Sequence, residues 1–308
     1  MQHGHRVRVV TQTPADADGN CVFEVIRCPS PSRVAREVRW CDVFFHNNIS
    51  LQTAWPLGLV RRPWVITHQT WTSRLDRSLG WQDRVKRVLF RFATNVAISK
   101  AIATDIGTGS VVIPNPYRDE VFRLMPDVFR ERDLVFLGRL VSDKGVDVLL
   151  RALALLKDAN LTPTLTIIGL GPEKPRLECI TLELKLSQQV RFVGPKAGDE
   201  LAQCLNHHRV MVVPSSWAEP FGIVAIEGIA CGCVLIGSEA GGLPDAIGPC
   251  GLTFSNGDVL ALADTLRLIL TDEGLVNRLR THATAHLARH TTSSVGAAYL
   301  EIFERVTR

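Results

Sequence analysis

Two acidic side chains eight residues apart, Glu219 and Glu227, frame the stretch best equipped for chemistry, VMVVPSSWAEPFGIVAIEGIACGCVLIGSEAGGLPDAIG at 210–248. A carboxylate accepts two hydroxyls at once, so each acid suits a sugar ring. The apolar run 210–214 reads as a short buried strand, and Pro220 sits where a first helical position tolerates proline. The spacing therefore predicts a helix beginning at Pro220. Its amides at Phe221, Gly222 and Ile223 would lack carbonyl partners and could meet an anion or a sugar hydroxyl. At the helical rise the two acids would lie about 12 Å apart, roughly the span of a sugar and a ribose joined by a diphosphate. The plainer reading makes Glu219 a helix cap and puts Glu227 on a solvated face.

Cations of matching use lie earlier. LVFLGRLVSDKGVDVLLRALALL reads as a strand, a glycine turn at Gly138 and an amphipathic helix. Arg139 and Lys144 then fall at the strand's C-terminal edge, where open α/β sheets bind ligands; taken alone they would be solvated loop charges. TLTIIGLGP carries Gly169 and Gly171 without a third glycine, an incomplete dinucleotide fingerprint. VRFVGPK at 190–196 is another strand and glycine turn, with Gly194 and Lys196 at its end. In the front half the strands DVFFH and WVITH end in His46 and His68, either hydrogen-bonded structural residues or site residues. His46, Asn47 and Asn48 could line an acceptor side.

EPFG, Glu227 and the following GIACGCVLIGSEAGGLPDAIG resemble the signature of retaining glycosyltransferases of family four, the group 1 glycosyl transferases. The resemblance implies a GT-B fold, two Rossmann-like parallel-sheet domains facing a cleft. It also implies roles, residue by residue. Glu219 would face the donor sugar, Glu227 the nucleotide ribose, and the backbone of Phe221, Gly222 and Ile223 the sugar. Arg139 and Lys144 would neutralise the donor diphosphate, the backbone at Gly194 and Lys196 would contact the base, and His68 in ITHQT would face the donor sugar. Of these, His68, Arg139, Lys144 and Glu219 form the catalytic set implied. Gly241 and Gly242 match the family's glycine pair. Neither a cofactor nor a metal is implied; a nucleotide-diphosphate sugar serves as donor substrate.

Members of the family begin with a further strand, a glycine-rich loop and a helix ending in Gly-His, of which Gly4 and His5 remain here. The expectation is a first domain lacking its usual first strand and helix. Two functions stay open: retaining sugar transfer to a glycan, lipid or small-molecule acceptor, as in cell-envelope or polysaccharide biosynthesis, or nucleotide-sugar binding without turnover. A phosphorylase or epimerase on the same fold is a further reading.

The elements that must position these residues fit two domains. A chain of 308 residues can bury two cores of about 150 residues each. The expected division is 1–118, an acceptor-side domain; 119–290, the nucleotide-sugar domain; and 291–308, a terminal helix returning to the first domain. With 46% apolar and 21% charged residues the composition is globular, and no run approaches the roughly 18 apolar residues of a membrane span. Eight cysteines without CxxC spacing read as reduced core residues of a cytoplasmic protein, with a disulfide framework as the second choice. Charge is uneven: residues 1–118 hold 16 Lys and Arg against 8 Asp and Glu, the remainder 19 against 23. That basic front half suggests an anionic acceptor or peripheral contact with a membrane face, with no nucleic-acid partner, though a composition without functional meaning fits equally. In the segment 81–92, Trp81, Val85, Val88, Leu89 and Phe92 recur at helical spacing while Arg84, Arg87 and Arg91 share another face. This predicts a helix packed on the domain core with its basic face in water; a helix lying on a membrane surface is the alternative.

Overall fold

The computed structural model describes residues 4–14, 22–73 and 80–308. Residues 15–21, which hold most of the turn expected between the first two strands as well as Cys21, lie outside the described residues. The chain divides into two compact units, one of residues 1–68, 73–95 and 302–308, the other of 69–72 and 96–301.

In the first unit, β1 (Arg8–Thr11) and β2 (Glu24–Arg27) pair in parallel, Val9 opposite Val25. A separate four-stranded sheet, of which the first two strands fall wholly within this unit, has the order β3 (Phe44–Asn47), β4 (Trp64–His68), β5 (Thr94–Ala97), β6 (Ser110–Val112). Every residue of β4 is buried, as its unbroken run of large side chains requires of a strand covered on both faces. The helix Pro31–Trp40 starts where the Ser30 hydroxyl accepts the Arg33 amide at 3.3 Å and Pro31 supplies a first position that needs no donor. Its buried face is Val34, Ala35 and Val38, one stripe at helical spacing, together with Glu37, whose carboxylate pairs with Arg8 and Arg33.

The helix Trp81–Phe90 forms as expected but turns the other way. Phe90 is fully buried, whereas Trp81, Val85, Val88 and Phe92 are exposed. At 100° per residue Phe90 stands roughly opposite Trp81, so the one side chain that anchors the helix rotates the apolar stripe into solvent. The expected packing of that stripe on the core is therefore overturned.

The second unit is built on six parallel strands, β7 (Arg132–Leu137), β8 (Leu165–Ile168), β9 (Val190–Gly194), β10 (His208–Val213), β11 (Val234–Ser238) and β12 (Gly251–Phe254). Their order is β12-β11-β10-β7-β8-β9. Successive strands run outward one way from β7 and the other way from β10, so the chain leaves a crevice outside the C-terminal ends of that central pair. Leu134 and Phe136 of β7 pack with Leu149 and Leu153 of the helix Val146–Asp158 and Leu262 and Leu266 of the helix Val259–Thr271, all essentially inaccessible. Each such side chain contributes roughly 1.5–3 kcal/mol by burial. The glycines that echo a dinucleotide loop have a packing duty instead. A side chain on Gly169 would fall 1.8 Å from the Gly138 carbonyl oxygen, and one on Gly171 2.1 Å from that of Leu140. The chains leaving β7 and β8 thus run in backbone contact, sealed by Leu140 donating to Leu170 at 2.8 Å.

Candidate active site

Two loops meet where β7 and β10 end. After β7 the chain passes Gly138 and Arg139, makes a short turn at Ser142–Lys144, and enters the helix Val146–Asp158 through Gly145, whose φ is +65°. Only glycine fits there, because a Cβ would lie 1.9 Å from the Pro214 carbonyl oxygen at the end of β10. The Ser216 amide donates to the Asp143 carbonyl at 2.9 Å, locking the loops together.

This junction delivers Lys144 to Glu219. The ammonium Nζ lies 2.5 Å from Glu219 Oε1, and the Ser215 hydroxyl donates to the same oxygen at 2.6 Å. Oε2 pairs with no described group. Glu219 is held from behind by its own backbone, which bridges in parallel to Gly241 and accepts the Gly242 amide at 2.6 Å. Gly241, at φ +85°, permits this approach, since a Cβ would sit 2.3 Å from the Glu219 carbonyl oxygen. Asn256 ties the same loop from the far side, donating to the carbonyls of Ser215 at 2.9 Å and Trp217 at 3.3 Å while accepting the Ala240 amide at 2.9 Å. Ser215 and Asn256 escaped the sequence reading. One is a small residue inside the signature and the other belongs to a turn 41 residues further on, and neither spacing signals a bond.

The helix after Glu219 spans Ile223–Ala230 with Gly222 as its cap at φ +108°, so it begins three residues later than the expected Pro220. The reason is a tertiary contact: the Pro220 carbonyl is taken by the Ser99 hydroxyl at 2.8 Å, and Gly222 turns into the left-handed region that starts the helix afresh. The 12 Å separation, which assumed helix throughout, does not apply. The amides of Phe221, Gly222 and Ile223 nonetheless donate to no described acceptor. The Phe221 side chain is itself buried, 5.8 Å from the His290 ring, which leaves its backbone as the available part. Gly228 brings the helix against β10, where a Cβ would meet Met211 Sδ at 2.7 Å.

Glu227, one helical turn in, has a carboxyl that pairs with no described residue. Burial pushes it up to about 7, against the opposing pull of the Arg118 guanidinium. Arg139 is exposed, and its guanidinium likewise has no described partner. At the end of β9, Gly194 takes φ +76° and accepts the Gly169 amide at 2.9 Å, while Lys196 is paired with Glu200. Arg139, Lys144, Gly194 and the 219–227 segment thus share the C-terminal edge of one sheet, and Lys144 and Glu219 touch.

His46 and His68 of the first unit are engaged internally. His68 is buried, its Nε2 2.9 Å from Asn95 Oδ1 and its ring edge-on to Phe90 at 4.6 Å. His46 accepts the Trp64 indole at Nδ1, 3.1 Å away, which leaves Nε2 to donate to Thr53 at 2.8 Å; burial holds it down to about 4. Of the acceptor-side trio only its neighbours Asn47 and Asn48 are exposed.

An open sheet of this order with a switch point between its central strands is a doubly wound α/β architecture, and solved structures specify which one. The fold is GT-B: the structure of Anabaena Alr3699/HepE in complex with UDP superposes with a TM-score of 0.82, covering 98% of this chain and 100% of that one at 19% identity. Residues 128–286 match Glycosyl transferases group 1, and the chain belongs to that family. Among its relatives is the D-inositol 3-phosphate glycosyltransferase of Corynebacterium jeikeium, 33% identical over 58% of this chain and 44% of that protein. The enzyme of the same name from Stackebrandtia nassauensis is 32% identical over 68% of this chain and 56% of its own length. The chain spans about half the length of these curated relatives.

Proposed function

We propose that the chain binds a nucleotide-diphosphate sugar at the switch point of its six-stranded sheet and transfers the sugar with retention of configuration. The observation carrying this reading is the Lys144–Glu219 pair at 2.5 Å, set beside an unpaired Glu227 and free amides at a helix start. Departure of the nucleotide diphosphate leaves an oxocarbenium-like sugar while negative charge grows on a phosphate oxygen. Arg139, Lys144 and the amides of Phe221, Gly222 and Ile223 oppose that charge, and donors fixed in advance commonly supply the largest share of catalysis. Glu219, with Oε2 free, accepts sugar hydroxyls and holds Lys144 in place. Glu227 accepts the ribose hydroxyls, and the backbone at Gly194 and Lys196 meets the base. Same-face attack, with the leaving phosphate as base, accounts for retention without a carboxylate nucleophile.

His68 is the family-matched residue assigned to the donor sugar, and its bond to Asn95 fixes its ring in advance. The domains of this reading are 1–118 for the acceptor, 119–290 for the donor, and a terminal helix from 291. The acceptor is a glycan, lipid or small molecule, met in the cytoplasm at a membrane face contacted by the basic first domain.

Titration calorimetry with UDP and other nucleoside diphosphates, together with hydrolysis of their sugars without acceptor, tests the donor site. Replacing both Arg139 and Lys144 by Met should abolish binding; the exposed Arg139 contributes about 1 kcal/mol or less to stability, whereas loss of Lys144 leaves the buried Glu219 carboxylate without its cation and should lower the melting temperature. Parental affinity in that variant would place the diphosphate elsewhere. Binding with no turnover of any donor would leave the chain a nucleotide-sugar receptor.

A further inference from the structure

The first unit presents an apolar face that its own core leaves uncovered. Trp81, Val85, Val88 and Phe92 recur at intervals of four, three and four, forming one outward stripe on and just beyond the helix Trp81–Phe90, with Trp81 71% and Phe92 72% exposed. Phe92 also lines a cavity of about 710 Å³ whose apolar wall includes Trp55, Leu57, Trp64 and Leu89, with Arg61 and Arg62 among the residues around it. Leu59, in the loop just beyond that wall, is 76% exposed. A monomer seldom leaves so many large apolar side chains together in water unless something binds them.

The charges around this face select what binds. Arg84 and Arg91 stand roughly 60–80° around the helix axis from Trp81, along one flank of the stripe, by the 100° step of the helix. Both are exposed, as is Arg61, and none of the three side chains pairs with a described residue. Arg62 is occupied, donating to the carbonyls of Val38 and Arg39. The nearby acid Asp83 is spent on the Gly80 amide and on Lys86. A second copy of the chain docked about a twofold axis would set these arginines against their own counterparts. An anionic lipid surface instead meets them with opposite charge and accepts indole and aliphatic tips at headgroup depth.

We propose that this face docks on an anionic lipid surface, with Trp81, Val88 and Phe92 entering the headgroup boundary, Arg61, Arg84 and Arg91 on the lipid phosphates, and the cavity open to hydrocarbon. The inference rests on the membrane contact in the proposed function and gives it a location, but it does not depend on sugar transfer.

The test is flotation of the 308-residue chain with vesicles of phosphatidylcholine, alone or with one third phosphatidylglycerol, at low and high salt and without donor. Binding is expected to the anionic vesicles, with at least a tenfold loss in phosphatidylcholine or at high salt. Trp81→Ser/Phe92→Ser and Arg61→Gln/Arg84→Gln/Arg91→Gln should each lose about tenfold while keeping the parental melting temperature and UDP affinity. Leu59→Ser, in an exposed loop, serves if the double variant fails to fold, and should weaken binding severalfold. No binding to anionic vesicles, or equal binding by parent and variants, overturns the proposal. So does a parental dimer that Phe92→Ser dissociates in sedimentation velocity. UDP affinity, read on the same samples, reports separately on the donor site.

Discussion

Glu227 combines a half-buried carboxyl with no protein partner, so its titration and its binding role can be read on one side chain. Burial raises it from 4.5 to about 7, which means the folded protein holds the proton more tightly than the unfolded chain does. Stability from this group is complete below pH 4.5 and is lost as pH rises through 7, by at most about 3 kcal/mol at 1.36 kcal/mol per unit. Glu227→Gln should remove that decline, visible as a flatter dependence of denaturant midpoint on pH between 5 and 8. In the proposed ribose role binding should run the other way, because an ionised carboxylate can accept both hydroxyls. Glu227→Ala should weaken nucleotide affinity about 10- to 150-fold, the equivalent of roughly 1.5–3 kcal/mol for hydrogen bonds to a charged acceptor. Unchanged affinity by calorimetry would remove the ribose assignment.

The junction of β7 and β10 works because two chain segments approach more closely than any side chain allows. Gly145 combines φ +65° with a Cβ position 1.9 Å from a backbone oxygen, whereas Gly257, at φ +76°, has nothing within 4 Å. Gly257→Ala should therefore cost about 1–2 kcal/mol, the penalty of a left-handed L-residue alone. Gly145→Ala adds backbone overlap and should cost more than that, while moving Lys144 off Glu219. Paired urea titrations with donor-binding assays check both halves: similar losses in the two variants would show that the close approach is unimportant. The helix start at Gly222 follows from similar crowding, since a side chain there would meet Leu243 Cδ1 at 2.6 Å.

Across the molecule, three buried histidines hold their neutral forms. His46, His208 and His290 are each pushed down to about 4, burial being the largest cause. His46 shows why most directly: its Nδ1 accepts the Trp64 indole N–H at 3.1 Å, so a second ring proton there would displace that bond. Unfolded histidine binds protons near pH 6.5, so the stability these groups permit is complete above that and is lost as pH falls toward 4. Three groups outweigh the opposite trend of Glu227. Melting temperature should therefore drop steadily from pH 6.5 to 4, with a loss of roughly 1–3 kcal/mol per histidine. A flat profile over that range would show that the rings accept protons without penalty.

Period and punctuation along the chain were enough to locate β4 residue for residue and nearly every strand of the second unit. Parallel-sheet strands announce themselves as short unbroken apolar runs because both faces are covered. The signature around Glu219 and Glu227 was legible for a related reason, since its glycines and proline encode backbone conformations locally. What remained hidden depended on residues distant in sequence. Asn256 reaches the loop at Ser215, and Ser99 takes the Pro220 carbonyl and so delays the helix that Pro220 alone would have started. His46 looked available until Trp64 and Thr53 took both ring nitrogens. The helix at 81–90 shows the division most clearly. Its 3.6-residue period is written in the chain, but the face it turns inward was decided by where Phe90 found a core to enter, and periodicity carries no information about that direction.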